Sequence, residues 1–162
     1  MAELELTRSR GDRRRYEIQG VGMLRLRGLL SRGATAEAGG AQWSFDRRGF
    51  WQRALHASDA MGAVVGSFEP RTWRRGGALR WGARELEVRP ASRWRERYAL
   101  LDGDRELAVL DGKGWGRRPV RIALDDAGAV EPGLLLFAAF VVRGLAEDAD
   151  AAASAGSTGA AA

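Results

Sequence analysis

The chain has 162 residues, 45% hydrophobic and 29% charged, a length and balance that suit one globular domain with its own core. It contains no cysteine and one histidine, His56, which excludes disulfides, thiolate metal centres and any His-pair zinc site. The formal charge of +5 invites anionic partners, yet 26 basic residues stand against 21 acidic ones, so the excess is modest and also serves solubility.

The first residues, Met1-Ala2-Glu3-Leu4-Glu5-Leu6, alternate acid and leucine with no apolar signal-peptide core, so a cytoplasmic protein is expected. From there the apolar residues recur with period two, as in strands with one face in a core and the other in water. Leu24 and Leu26 alternate with Arg25 and Arg27, and Trp43 and Phe45 with Ser44 and Asp46. Leu86 and Val88 alternate with Glu85 and Glu87, and Val120, Ile122 and Leu124 close the series. The pattern predicts strands near 3–8, 14–19, 23–29, 33–37, 41–46, 50–55, 62–68, 77–82, 84–89, 95–101, 105–110 and 119–124. Turn signals at Gly39-Gly40, Gly76-Gly77 and Asp111-Gly112 punctuate them, and Asp102-Gly103 is the strongest hairpin signal. The spacing leaves no room for crossover helices, so the sheet is expected to be antiparallel.

One segment breaks the pattern. Glu131-Pro132 opens a run in which every residue from Leu134 to Val142 is apolar. Proline suits the first helical turn, and the glutamate beside it suits the positive end of the dipole. The run is far shorter than the ~20 residues of a membrane span. A helix apolar on every side belongs in an interior. The expected architecture is therefore mainly β: a closed antiparallel barrel of about twelve strands around one apolar C-terminal helix near 132–146. The domain is set at 2–146. Residues 147–162, without a large apolar side chain, are expected to form a disordered tail.

A strand series from Leu4 to Leu124 followed by the apolar segment Gly133–Ala146 resembles the tubby C-terminal-like superfamily, which includes tubby proteins, phospholipid scramblases and the LURP-one-related proteins. In that superfamily a twelve-stranded barrel wraps a central hydrophobic helix. The resemblance is one of architecture and element order. The phosphoinositide-binding residues of tubby and the scramblase calcium segment have no counterpart here, so no functional residue is carried over.

Candidate sites come from the basic clusters. Arg71, Arg74 and Arg75 surround Trp73, and Arg47 and Arg48 sit in a turn between Phe45 and Phe50. Arginines hold lipid phosphates while an exposed tryptophan settles among headgroups. The same residue types also stack on a base and grip its backbone, but nucleic acid is the less expected partner. The plain alternative is that Trp73 folds into the core and the arginines are solvated.

Catalytic motifs fail. Gly112-Lys113-Gly114 lacks the earlier glycine of a phosphate-binding loop, with Leu107 in its place, and no Ser or Thr follows Lys113. His56, Ser58 and Asp59 lie too close together to converge as a triad. Asp102 with Asp104, and Asp125 with Asp126, lack calcium-loop spacing. No enzyme activity, cofactor or metal is expected. The preferred function is a tubby-like domain that contacts anionic lipid or a membrane surface through Arg71, Trp73, Arg74, Arg75, Arg47 and Arg48. The alternative is a protein-interaction or scaffold module without ligand chemistry.

Overall fold

The computed structural model describes residues 1–28, 33–47, 54–72, 75–92, 96–113, 119–126 and 128–157. The elements are β1 (Ala2–Arg8), β2 (Arg15–Ile18), β3 (Gly22–Arg27), β4 (Gly33–Ala38), β5 (Ala41–Arg47), β6 (Leu55–Asp59), β7 (Val64–Pro70), β8 (Gly77–Trp81), β9 (Arg84–Pro90), β10 (Arg97–Asp102), β11 (Arg105–Asp111), β12 (Val120–Leu124) and α1 (Pro132–Ser157). Each strand pairs antiparallel with its neighbours in the chain, and β1 pairs with β12, with Leu4 opposite Ile122 and Leu6 opposite Val120. The result is a closed twelve-stranded barrel, which leaves no unpaired sheet edge.

The helix fills the barrel. None of the residues from Leu134 to Val142 is more than 5% exposed. Phe137 packs on Phe45 and Trp81, with ring centroids 5.1 and 5.8 Å away, and Phe140 packs on Phe45 at 5.6 Å. The helix is off-centre. It lies closest to β4, whose inward residues Ala34, Ala36 and Ala38 are small enough to admit a helical backbone. The far side is filled by larger inward residues, among them Phe68, Leu79, Leu86, Tyr98 and Leu100. Small wall residues thus set where the helix runs, and large ones take up the remaining space.

The start of α1 is pinned. Pro132 occupies the first helical position, and the Leu135 amide donates to the Glu131 carbonyl at 3.0 Å. The Trp81 indole N–H donates to the Glu131 carboxylate at 3.1 Å. Arg84 holds the preceding segment through the Ala129 carbonyl at 3.2 Å. Gly133 is wedged between two indoles: a Cβ there would stand 2.7 Å from Cζ2 of both Trp43 and Trp81. Close packing, not backbone conformation, demands glycine at this position.

Because neighbouring strands alternate direction, their connections fall alternately at two ends. One end holds the short turns, including the two-residue turn Gly39-Gly40, where both residues have φ > 0 (56° and 82°) as a type I′ hairpin requires. The Gly103 turn (φ 58°), expected from Asp102-Gly103, is at this end too. The other end holds the long connections 9–14, 28–32, 48–54, 71–76, 91–96 and 112–119. Helix α1 enters through the short-turn end and leaves through the long-connection end, where Ala146 abuts Gly112.

Two boundaries differ from expectation. The helix does not stop at Ala146; it continues through residues 147–157, which were expected in the disordered tail. A helix already nucleated in the core extends cheaply through an alanine-rich stretch, and the Arg143–Glu147 pair at 2.7 Å ties the emerging turn to the buried part. Residues 158–162 lie outside the described residues. The sixth strand is Leu55–Asp59 and not 50–55. Phe50 and Trp51, which drew the pattern earlier, lie outside the described residues. The inward pair of β6 is Leu55 and Ala57, and alanine gives little apolar signal.

Phe137→Ala is expected to cost about 3–5 kcal/mol in denaturant unfolding, because it empties space where Phe45 and Trp81 meet the helix. Ending the chain after Asp150 removes only exposed side chains among the described residues and is expected to cost less than about 1 kcal/mol in the same measurement.

Candidate functional site

The connection between β7 and β8 is closed by the Arg71 amide, which donates to the Gly76 carbonyl at 3.0 Å. Gly76 has φ 107°, and added Cβ atoms at Gly76 and Gly77 would collide with the carbonyl oxygens of Val88 and Glu69 respectively. The two glycines let this connection lie flat on β9 and bring its arginines to the outward side chains of that strand.

Glu87 and Arg89, two residues apart on β9, share that outer face. Arg71 Nη1 lies 2.8 Å from Glu87 Oε1, and Arg89 Nη2 lies 2.8 Å from Glu87 Oε2, with Arg89 Nε at 3.3 Å from Oε1. The Arg89 hydrogen bond, with the charges of Arg71 and Arg89, holds the Glu87 carboxyl below its ordinary value against the upward pull of burial. Arg75 is exposed and has no ion pair among the described residues. These four side chains line a groove of about 610 Å³ with Pro90 and Ser92. Three guanidiniums face one carboxylate, so the groove carries two surplus positive charges (three minus one) among the described residues.

The sequence-predicted residues are thus brought together in part. Arg71 and Arg75 share the groove. Arg47 does not join it; it ends β5 on the same rim and stands against the helix, its Nη2 3.8 Å from where a Cβ on Gly144 would be. Trp73, Arg74 and Arg48 lie outside the described residues. Sequence reasoning treated Glu87 as an ordinary outward strand residue and did not use Arg89. The signal for both was their two-residue spacing opposite an arginine-rich connection.

A second pattern spans the whole barrel end. Arg10, Arg13, Arg14, Arg47, Arg71, Arg75 and Lys113 all belong to the long-connection end. The sequence joining the strands there also contains Arg32, Arg48, Arg53, Arg74, Arg93, Arg95, Arg117 and Arg118, outside the described residues. The connections at the opposite end contain no Arg or Lys. The arginines at strand termini there, Arg84 and Arg105, are paired with Asp102 at 2.8 Å and Asp125 at 3.9 Å. Alternating strand direction has sorted the charge.

The remaining candidates are occupied with structure. Asp59 accepts from the amides of Met61 and Ala63 at 2.9 and 3.0 Å, which makes it a turn residue and not the orienter of His56. Asp126 accepts from the Gly128 amide at 2.9 Å. Lys113 faces Glu96 at 3.4 Å and Asp150 at 3.9 Å. Among the described residues no group of three acids or histidines could hold a metal ion, and no helix is long and apolar enough to cross a membrane. No family model, curated protein or solved structure matches the chain.

Glu87 has a depressed pKa in the folded state, so its contribution is present above the ordinary carboxylate pKa and is lost as pH falls through the folded value. Its partners are exposed, which limits the contribution to below about 1 kcal/mol. Glu87→Gln is therefore expected to lower the urea midpoint at neutral pH, with the difference from wild type closing as the pH falls below the ordinary glutamate range.

Proposed function

We propose that this protein is a non-enzymatic, tubby-like barrel domain that meets anionic membrane surfaces with its long-connection end. The observation that carries the reading is the charge sorting: basic residues from Arg10 to Lys113 collect at one end, while the connections at the other hold no Arg or Lys. Each basic residue close to an anionic leaflet contributes about 1 kcal/mol, and the contribution decays within a Debye length. Charges ringing the end of a barrel face a plane. A nucleic-acid strand instead favours charges laid out along a groove, which makes lipid the better fit. In sequence, Trp73 and Trp94 lie between arginines in these connections, the residue mixture that suits a headgroup layer. The reading implies a cytoplasmic protein peripheral to a membrane. The scaffold alternative gains no comparable support. Among the described residues the exposed large hydrophobics are Met1, Met61 and Val64, too few for a docking patch.

Co-sedimentation with phosphatidylcholine vesicles, with and without phosphatidylserine, tests the proposal. Binding is expected only to the anionic vesicles and is expected to fade as salt is raised. Arg71→Ala/Arg75→Ala should weaken it by roughly 2 kcal/mol, about 30-fold. Equal pelleting by both vesicle types, or tighter binding to a single-stranded oligonucleotide than to phosphatidylserine vesicles, overturns it.

A further inference from the structure

Helix α1 leaves the barrel through its basic end, and all of its acidic residues lie in the turn that emerges there. Glu147, Asp148 and Asp150 follow directly on Ala146, the last buried residue of the helix. The next seven helical residues, 151–157, carry no charge at all. A solubilising extension would spread its charges along its length. Here they are confined to one turn, level with the rim.

That turn reaches one cation of the rim among the described residues. Glu147 pairs with Arg143 at 2.7 Å, and Asp150 stands 3.9 Å from Lys113, which is also held by Glu96 at 3.4 Å. The buried Tyr98 hydroxyl, raised in pKa chiefly by burial, feels the charges of Arg75, Glu96 and Asp148.

We infer that the acidic turn Glu147–Asp150 is a built-in counter-charge that sets how dense an anionic surface must be before the basic end engages it. This rests on the reading that the basic end meets anionic lipid. The turn emerges at the rim and competes for Lys113, so a sparsely charged bilayer does not displace it. A densely charged bilayer outweighs it through the outlying arginines, Arg10, Arg13 and Arg14. The acids thereby act as a threshold against ordinary, weakly anionic membranes.

The test titrates the full chain with vesicles of rising phosphatidylserine fraction. Asp148→Asn/Asp150→Asn keeps side-chain size and leaves the Arg143–Glu147 pair in place. Asp104→Asn/Asp125→Asn makes the same change in net charge at the opposite end. The first variant is expected to bind about tenfold more tightly than wild type and to begin binding at a lower phosphatidylserine fraction. The second is expected to stay within about twofold of wild type, because Asp104 and Asp125 follow strand ends at the short-turn end and not at the rim where the acidic turn emerges. Thermal melting of each protein confirms that it is folded. If wild type binds but Asp148→Asn/Asp150→Asn follows the same curve, or if both variants shift equally, the counter-charge is overturned and the lipid reading stands. If none of the three proteins binds at any composition, the lipid reading itself fails.

Discussion

The helical segment from Leu134 to Val142 has no side that tolerates water, and the rest of the architecture answers that constraint. Burying one Leu, Phe or Val side chain is worth about 1.5–3 kcal/mol. Seven such residues in the run are together worth roughly 10–20 kcal/mol, as much as the roughly 5–15 kcal/mol net stability of a whole domain. A two-layer sandwich covers a helix on one side only. A closed sheet covers it on all sides, and closure also removes the exposed strand edges that a twelve-stranded open sheet would present. The alanines of β4 and the bulky residues of β7–β10 are complementary parts of one solution, in which the helix lies against the thin wall and aromatic and branched side chains fill the other side.

A closed up-and-down meander sorts its connections by parity. The strand ends fix which segments meet at which end, and nothing in the core depends on what those segments carry. Short turns surround the entry of the helix, where Trp43, Trp81 and Gly133 pack tightly and Glu131 accepts from the Trp81 indole. Long connections surround its exit, and these hold the arginines. The barrel is thus a scaffold with one structural end and one end free to take on function, much as catalytic loops gather at one face of other barrels.

Much of this was legible in the sequence, and the misses have physical causes. Leucine, valine and aromatic residues in alternation marked most strands to within a residue or two, because a half-buried strand cannot hide its period. β6 escaped because its inward residues are one leucine and one alanine, while Phe50 and Trp51 just upstream were louder. The end of α1 escaped because alanine is an excellent helix former with no bulk to bury, so residues 147–157 looked like a tail. The pairing of Trp81 with Glu131, fifty residues apart, follows only from closure. The groove was half legible. Arg71 and Arg75 stood out as a cluster, but Glu87, the carboxylate that organises Arg71 and Arg89, looked like any outward residue on a strand. The gathering of basic segments at one end required counting strands, not reading any single motif.

The filling of the barrel comes last in chain order. Twelve strands leave the ribosome before the segment that gives them a dry interior, so the early hairpins form around a missing centre. Local pairing along the meander costs little loop entropy, whereas the β1–β12 seam joins segments more than a hundred residues apart. Seam and helix therefore form together, after all the earlier hairpins. Until then the inward leucines and phenylalanines are exposed, and a nascent chain of this kind depends on dilution or on chaperones to remain unaggregated.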